Sequence, residues 1–371
     1  MRSVVTGGAG FIGSNLVDAL LDEGDEVVVV DNMSSGRKVN LEQALGRGAT
    51  LEQRDVREAA GLLSSFQAFT PDRVFHLAAQ VDVRVSIDDP AADATTNVIG
   101  TINVLEAARL SGVRRLVFAS TGGAIYGETE RLPTSEAEEP LPMAGYGQSK
   151  FCAERYLGLY ERLYGLSTMA LRFSNVYGPR QDPGGEAGVI AIFSGCLRDG
   201  KKPTIYGDGT QTRDYLYVGD LVGALVAAGG AQACGVLNAG TERETTVLDI
   251  VRLLGEIHGD GAPEPQFAPA RLGEIDRSCL HSGRAREVLG WTATTDIADG
   301  LRRTYQATLA EAAGAAATLP ASSATHLDPV AQALGPLLLR GIELGEHLVR
   351  VLAEVRRRLR RHPPADAERQ R

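Results

Sequence analysis

Apolar runs of strand length alternate with stretches of helical periodicity through the first half of the chain. The runs are rich in valine and other residues that favour strands. They are Ser3–Val5, Glu26–Asp31, Ala49–Val56, Asp72–Ala79 and Arg115–Ser120. Between them, the segments Leu16–Leu21 and Asn97–Ser111 carry apolar residues at helical spacing. This alternation predicts an α/β fold built on a right-handed, doubly wound parallel sheet.

A glycine-rich turn joins the first predicted strand to the first predicted helix. Gly7, Gly10 and Gly13 have the spacing G-x-x-G-x-x-G. Glycine at these places allows a tight turn, lets a pyrophosphate approach the backbone and lets the helix lie close to the strand. The helix N-terminus then offers N–H groups to phosphates. The turn therefore predicts a dinucleotide site in a Rossmann-type domain.

An acidic residue ends the second predicted strand. Asp31 follows Gly13 by 18 residues, close to the roughly 20 typical of the carboxylate that binds the adenosine ribose. A carboxylate accepts hydrogen bonds from ribose hydroxyls and repels a 2′-phosphate, so we expect NAD rather than NADP. The alternative is that Asp31 only caps the following loop.

Two further polar residues of these strands allow more than one role. Asp55 could accept a hydrogen bond from the adenine amino group, or it could cap a helix that begins near Arg57. His76 lies in the fourth predicted strand, and we expect it to be a packed strand residue rather than a catalyst.

Ser120 and Thr121 end the fifth predicted strand, where hydroxyls would point into the ligand crevice. Further along, Tyr146 and Lys150 are four residues apart, so they share one face of a predicted helix. A free tyrosine has a pKa near 10. A neighbouring ammonium group and the nicotinamide charge would lower that pKa and make Tyr146 a usable base.

The composition narrows the class of protein. The 371 residues suffice for a two-part enzyme, and the net charge of −9 argues against general nucleic-acid binding. We expect neither a signal peptide nor a membrane span. The four cysteines, Cys152, Cys196, Cys234 and Cys279, form no C-x-x-C pair, which favours a reduced cytoplasmic protein with no bound metal.

Several motifs together resemble the extended short-chain dehydrogenase/reductase family over about residues 1–311. They are the glycine turn, the Asp31 loop, Ser120-Thr121 and the Tyr146/Lys150 pair. Two later segments, Leu171–Arg180 and Tyr206–Tyr215, resemble the nucleotide-sugar members of the family, and the pattern is most similar to the UDP-glucose (UDP-galactose) 4-epimerases.

The resemblance implies a residue-by-residue site. Thr121, Tyr146 and Lys150 would be catalytic, with Ser120 as the fallback for Thr121. NAD would be bound by Gly7, Gly10, Phe11, Ile12, Gly13, Asp31, Asn32, Ser35, Gly36, Asp55, Val56, Leu77, Ala78, Ala79, Gln80, Asn97, Ser120, Tyr146, Lys150 and Ser174. The UDP-sugar would be bound by Thr121, Tyr146, Asn175, Val189, Thr204, Tyr206, Arg213, Arg271, Glu274 and Ser278.

The implied reaction is inversion at C4 of a UDP-hexose. Tyr146 would take the proton of the 4-hydroxyl while NAD takes the hydride from C4. The resulting 4-keto sugar would turn its other face to NADH before the hydride returns. Related 4,6-dehydratases carry acids after the catalytic threonine, whereas this chain has Gly122 and Gly123. Ser278, thirteen positions before Trp291, would be a small gatekeeper residue that admits an N-acetyl group; the alternative is selectivity for the plain hexose.

The expected organisation is a NAD-binding domain over residues 1–174 and a nucleotide-sugar lobe over 175–311, with some segments of the lobe returning to the first domain. An Ala/Ser/Thr-rich linker over 312–326 and an amphipathic helix with a basic, partly disordered tail over 327–371 would follow. That helix would pack on the core, contact a partner, self-associate or touch an anionic membrane surface, and we favour packing or self-association. By family, we expect a homodimer formed through the Tyr146–Leu163 region.

Two rival hypotheses stay open at this point. One is another nucleotide-sugar enzyme of the family, such as a uronate 4-epimerase or a reductase. The other is a non-catalytic NAD-binding sensor, which would have no need of Thr121, Tyr146 and Lys150.

Overall fold

Seven parallel strands form the central sheet. The computed structural model describes residues 1–184, 188–270 and 275–318. In chain order, the strands of the central sheet and of the smaller sheets in these ranges are β1 (Arg2–Thr6), β2 (Glu26–Asp31), β3 (Thr50–Gln53), β4 (Arg73–His76), β5 (Arg115–Thr121), β6 (Ser167–Phe173), β7 (Asn175–Tyr177), β8 (Thr204–Tyr206), β9 (Thr212–Arg213), β10 (Tyr215–Tyr217), β11 (Gly235–Ala239), β12 (Thr245–Thr246), β13 (Gln266–Ala268) and β14 (Arg277–Ser278). The central sheet has the order β11-β6-β5-β4-β1-β2-β3.

Helices connect these strands and cover the sheet. They are α1 (Phe11–Asp22), α2 (Glu42–Gly46), α3 (Ala59–Phe69), α4 (Val83–Asp88), α5 (Pro90–Ala94), α6 (Gly100–Leu110), α7 (Gly122–Ile125), α8 (Gly145–Tyr164), α9 (Val189–Arg198), α10 (Val218–Gly230), α11 (Val247–His258), α12 (Gly283–Leu289) and α13 (Ile297–Thr318). A 3₁₀ turn spans Lys38–Leu41, and a π turn spans Thr95–Ile99 directly before α6.

The sheet is buried on both faces because its strands carry apolar side chains at consecutive positions. Val5 of β1 and its neighbours in the register belong to one apolar cluster, which α1 and α10 cover with Leu20 and Leu225. Val4 of β1 belongs to a second cluster, which α3, α6 and α8 complete. The layers are therefore helix, sheet, helix, as the alternation of elements predicted.

A smaller group of strands and helices lies beyond the carboxyl end of β6. Its short sheets pair β10 with β7, β13 with β8, and β9 with both β12 and β14. A third apolar cluster joins α9, α11 and α13 through Phe193, Ile250 and Leu301. The strand β11 and the helix α10 belong instead to the central layers, so the chain crosses between the two parts more than once. Residues Met1–Gly314 form a single compact unit, and the domain division at residue 174 stays a prediction.

Some predicted boundaries need correction. The third strand ends at Gln53 rather than Val56, because the chain turns at Asp55. The predicted helix over 97–111 begins as a π turn and becomes an α-helix only at Gly100. The linker predicted from residue 312 is helical as far as Thr318, since α13 continues through this alanine-rich segment. The rest of the linker and the amphipathic helix over 327–371 lie outside the described residues.

Across the described ranges, no helix is both long enough and apolar enough to cross a membrane.

Substitution of Gly7 tests the close packing behind the glycine turn. Gly7 has φ +72°, and a Cβ there would lie 2.6 Å from the Ala78 nitrogen. Gly24 has a similar φ of +82° but no neighbour within 4 Å of such a Cβ. Gly24→Ala should cost roughly 1–2 kcal/mol from backbone strain alone. Gly7→Ala should cost about 1–3 kcal/mol more, because the added methyl group displaces backbone. Urea denaturation measures both; equal losses would show that the turn is loosely packed.

Candidate functional site

The glycine turn brings three backbone segments into close contact at the carboxyl edge of the sheet. A Cβ on Gly13 would lie 2.2 Å from the Gly7 carbonyl oxygen, and one on Gly10 would lie 3.3 Å from the same atom. The helix α1 therefore begins directly against β1, with its first residues Phe11 and Ile12 at the turn. This close packing of turn and helix is the arrangement in which a helix N-terminus can meet a pyrophosphate.

Asp31 ties this turn to the loop that follows β2. Its carboxylate is 7% exposed. One oxygen accepts from the Ala9 N–H at 2.9 Å and the other from the Met33 N–H at 2.8 Å. The contact with Met33 is the loop-capping role considered above, and the contact with Ala9 shows that Asp31 also faces the glycine turn. A side chain at Gly36 would collide with this carboxylate, so the loop carrying Ser35 and Gly36 packs closely around it.

Asp55 forms a local turn rather than a helix cap. Its carboxylate accepts from the Arg57 N–H at 2.8 Å, and α3 begins only at Ala59 with Glu58 at the N-cap position. The Arg57 guanidinium, the largest cause, and the Asn32 amide hold the pKa of Asp55 well below its usual range. The prediction that Asp55 caps a helix beginning near Arg57 is therefore wrong. The adenine contact stays a prediction.

Val56 and Asn97 are both buried within the chain, and their predicted contacts with NAD stay predictions. The Val56 side chain is buried against Gly100. Asn97 is 2% exposed. Its side-chain oxygen accepts from the Gln80 N–H at 2.9 Å, and its side-chain nitrogen donates to the Gln80 carbonyl oxygen at 2.9 Å. Asn97 therefore fixes the segment after β4, which contains Leu77, Ala78 and Ala79.

His76 is a packed strand residue, as predicted. Its ring nitrogens lie 2.7 Å from the Thr6 hydroxyl and 3.0 Å from the Thr101 hydroxyl. Burial lowers the pKa of His76 to about 3, so the ring is neutral and bridges β1 to α6.

Ser120 and Thr121 point to different sides of the sheet because side chains alternate along a strand. The Ser120 hydroxyl donates to Glu154 at 2.6 Å and is 2% exposed. Thr121 instead lines a cavity of about 270 Å³. This geometry favours Thr121 over the fallback Ser120 as the residue that meets a substrate.

Tyr146 and Lys150 lie on α8, one turn apart. The Lys150 ammonium donates to the Ala119 carbonyl oxygen at 2.9 Å and lies 4.6 Å from the centre of the Phe118 ring. Burial lowers the pKa of Lys150 to about 8, although the carboxylates of Asp93 and Glu154 raise it in part.

The electrostatics of Tyr146 differ from the sequence-based expectation. Burial, and then the charge of Asp93, raise the pKa of Tyr146 well above its usual value, and Lys150 is not among the causes of this shift. The residues of the chain therefore favour the neutral phenol, which can hold a proton and donate it.

The cavity beside Thr121 gathers residues from several parts of the chain. It is lined by Thr121, Gly123, Ala124, Ser174, Asn175, Arg213, Ile275 and Ser278. Ser278 pairs with Arg213 in the register of β14 and β9. The Arg213 guanidinium donates to the Thr212 carbonyl oxygen at 2.8 Å. Five of the predicted site residues thus share one cavity that contains a cation and several hydroxyl and amide groups.

Other predicted substrate residues, Tyr146 among them, lie outside this cavity lining. Val189 begins α9, and Thr204 and Tyr206 are the ends of β8. Thr204 accepts a hydrogen bond from the Gln266 amide at 2.9 Å. Arg271 and Glu274 lie outside the described residues, so their roles stay predictions.

Sequence reasoning missed two residues that shape the cavity. The buried Asp214 carboxylate accepts from the Thr241 hydroxyl at 2.6 Å and from the Leu280 N–H at 3.2 Å, and burial raises the pKa of Asp214. A Cβ on Gly122 would lie 2.4 Å from the Leu280 side chain, so Leu280 fills the space next to the strand end. An acid directly before the apolar strand Tyr215–Tyr217 was the available signal for Asp214.

The described residues include no cluster of three or more histidine, cysteine or carboxylate side chains that could hold a metal ion. A parallel sheet with a glycine turn, a carboxylate at the end of β2 and a Tyr/Lys pair one helical turn apart defines a dinucleotide-dependent enzyme of the doubly wound α/β class.

Comparison with known proteins identifies the family. Residues 3–240 match the NAD dependent epimerase/dehydratase family, and the chain belongs to it. A UDP-glucose 4-epimerase of Mycolicibacterium smegmatis is 47% identical over 312 residues, covering 82% of this chain and 98% of the relative.

Two solved structures have the same fold. The UDP-glucose 4-epimerase of Thermotoga maritima, solved with UDP-glucose, is 44% identical with a TM-score of 0.81, covering 84% of this chain and 100% of that one. The UDP-glucose 4-epimerase of Thermus thermophilus, solved with NAD, is 42% identical with a TM-score of 0.77, and the match covers 83% of this chain and 98% of that one.

Proposed function

We propose that this protein is a NAD-dependent 4-epimerase that interconverts UDP-glucose and UDP-galactose through a 4-keto sugar. The observation that carries the proposal is the cavity in which Thr121 lies beside Arg213 and Asn175. A hydroxyl at the strand end and a guanidinium in the same cavity suit a sugar and its diphosphate, respectively.

The chain fits NAD at the carboxyl ends of β1 and β2, where the glycine turn and Asp31 lie. Gly7 and Gly13 allow the close packing of the turn, Gly10 lets a pyrophosphate approach the helix N-terminus, and Asp31 is the carboxylate for the adenosine ribose. NAD, when bound, supplies a reversible hydride acceptor for the sugar C4.

The catalytic residues then manage the proton of the sugar 4-hydroxyl. Thr121 orients that hydroxyl by hydrogen bonding, and the Tyr146 phenolate, which the nicotinamide charge would favour once NAD is bound, takes its proton and later returns it. The Lys150 ammonium, fixed at the Ala119 carbonyl oxygen, offers its other protons to the cofactor ribose and adds positive charge beside the phenol. Arg213 and Asn175 hold the diphosphate end of the substrate while the sugar turns, which uses the binding energy of non-reacting groups.

Two features favour epimerisation over the rival reactions. Gly122 and Gly123 offer no acid or base for elimination or decarboxylation, and Leu280 occupies the space that a side chain on Gly122 would need. A pure NAD sensor would have no use for the buried Tyr146 and Lys150. The uronate 4-epimerase and the reductase stay as alternatives that substrate tests decide.

The free thiols of all four cysteines support the expected cytoplasmic location.

Conversion of UDP-sugars without added reductant tests the proposal. The purified protein should convert UDP-galactose to UDP-glucose, followed by chromatography, and Tyr146→Phe should lower kcat by about 10²- to 10⁴-fold because the proton acceptor is lost. The variant should still bind NAD, which cofactor fluorescence measures. Conversion of a UDP-uronate alone, or a strict need for added NADH, would replace this function by one of the rivals.

We further propose that the cavity admits N-acetylhexosamines, because the side chain at its edge is the small Ser278. Ser278→Tyr should abolish conversion of UDP-N-acetylgalactosamine and leave conversion of UDP-galactose within about threefold, since only the first substrate needs room at C2. Each substrate serves as the control for the other. Equal losses on both substrates would show that Ser278 does not set the selectivity at C2.

We also propose a homodimer formed through α6 and α8. Exposed apolar side chains on or beside these helices support it: Ile99 is 49% exposed, Leu110 48%, Leu163 61% and Tyr164 51%. The two helices pack against each other, so together they offer one apolar surface.

Light scattering tests this interface. The wild-type protein should have the mass of two chains, and Leu163→Glu should give single chains because a charge cannot be buried there without a partner. Leu309→Glu, at a leucine that is 43% exposed on α13, is the control and should stay dimeric. A dimeric Leu163→Glu protein would place the interface elsewhere.

A further inference from the structure

A buried ion pair lies beneath the carboxyl end of β5. Glu154, on α8, and Arg172, on β6, have side chains that are 2% and 5% exposed. Two parallel hydrogen bonds join them, at 2.9 and 2.6 Å. Ser120 is the neighbour of Arg172 in the register of β5 and β6. The pair therefore links α8, which carries Tyr146, to β6, the neighbour of the strand that ends in Thr121.

Contacts from this pair reach both ends of the turn that begins at Thr121. At the first end, the Ser120 hydroxyl donates to Glu154 at 2.6 Å. At the other end, Arg172 donates to the Tyr126 hydroxyl at 2.8 Å, and that hydroxyl donates to the Asn238 side chain at 2.8 Å. The short helix α7 lies between these two contacts, so its position is determined from both sides.

Lys150 lies on α8 next to this network. Glu154 follows Lys150 by one helical turn, and the Lys150 ammonium donates to the main chain of Ala119, next to Ser120. Lys150 and the strand end before Thr121 are thus placed next to one buried, paired polar network.

We propose that Glu154, through its bond to Arg172, is a positioning residue that sets Thr121 and Lys150 relative to each other for the proton transfer at the sugar 4-hydroxyl. This inference rests on the proposed function. Buried networks of this kind rigidify a site only when every member is paired, and removal of one charge leaves the other without compensation.

The charge of Glu154 also acts on Lys150. The charged groups facing Lys150 are the carboxylates of Asp93 on α5 and Glu154 on α8, and both raise its pKa against the effect of burial. His76, packed nearby on β4, is neutral because its pKa is about 3, and the phenol of Tyr146 is neutral because its pKa is raised. Loss of the Glu154 charge therefore lowers the pKa of Lys150 from about 8.

Steady-state kinetics of Glu154→Gln across pH test the proposal. We expect kcat to fall about tenfold or more, because small misplacements of catalytic groups are costly, while KM for the UDP-sugar stays within about twofold. Lys150 acts as an ammonium, so activity is lost as pH rises through its pKa. The alkaline limb of kcat should therefore move to lower pH in this variant.

Ser120→Ala separates position from charge. It removes one contact of the turn but leaves the Glu154–Arg172 pair intact, so kcat should fall severalfold with the alkaline limb unchanged. This variant also decides the question if Glu154→Gln does not fold.

Asp25→Asn is the matched control. Asp25 and Arg73 form a second buried pair, with side chains 2% and 4% exposed, and Ser3 donates to Asp25. This pair lies at the amino ends of β2 and β4, away from the catalytic residues. Asp25→Asn should lower stability, yet retain the kcat and pH profile of the wild type.

The outcomes distinguish this inference from the proposed function. If the wild-type protein converts no UDP-sugar, both fail. If it is active and Glu154→Gln and Ser120→Ala behave like Asp25→Asn, with unchanged kcat and alkaline limb, only the positioning role of Glu154 is overturned.

Discussion

Parallel pairing of seven strands is the constraint on which the rest of this protein depends. Because all the strands run in the same direction, the ends of β1, β2, β4 and β5 meet at one edge of the sheet. The glycine turn, Asp31, the segment braced by Asn97, and Thr121 are all placed by those strand ends. The close approach at this edge permits no side chain at Gly7 or Gly13, since either would meet backbone atoms.

Buried polar groups then complete the site. His76, neutral and bonded to two threonine hydroxyls, joins β1 to α6. Asp214 holds the segments that carry Thr241 and Leu280 against the cavity. The Glu154–Arg172 pair lies under the Thr121 turn. Each of these groups is paired within the chain, so the cost of burying it is offset and the geometry around the cavity is stiff.

Patterns that depend on local spacing could be predicted from the sequence, and patterns that depend on packing could not. The strand from Glu26 to Asp31 and the Tyr146/Lys150 helix follow from residue order alone. The choice between Ser120 and Thr121 needed the sheet, because only the direction of the side chains distinguishes them. The pKa of Tyr146 also needed the structure, since burial and Asp93, not Lys150, dominate it. Helix α13 continues past residue 312 because alanine favours helix over linker.

The central claim is that Thr121 and Tyr146 meet the 4-hydroxyl of a UDP-hexose in the cavity beside Arg213. A crystal structure of the Tyr146→Phe variant with NAD and UDP-glucose tests it most directly. The account predicts the sugar in this cavity, its 4-hydroxyl hydrogen-bonded to Thr121 and adjacent to the ring at position 146, and the diphosphate at Arg213. A sugar bound elsewhere, or one whose 4-hydroxyl contacts neither residue, would contradict the account.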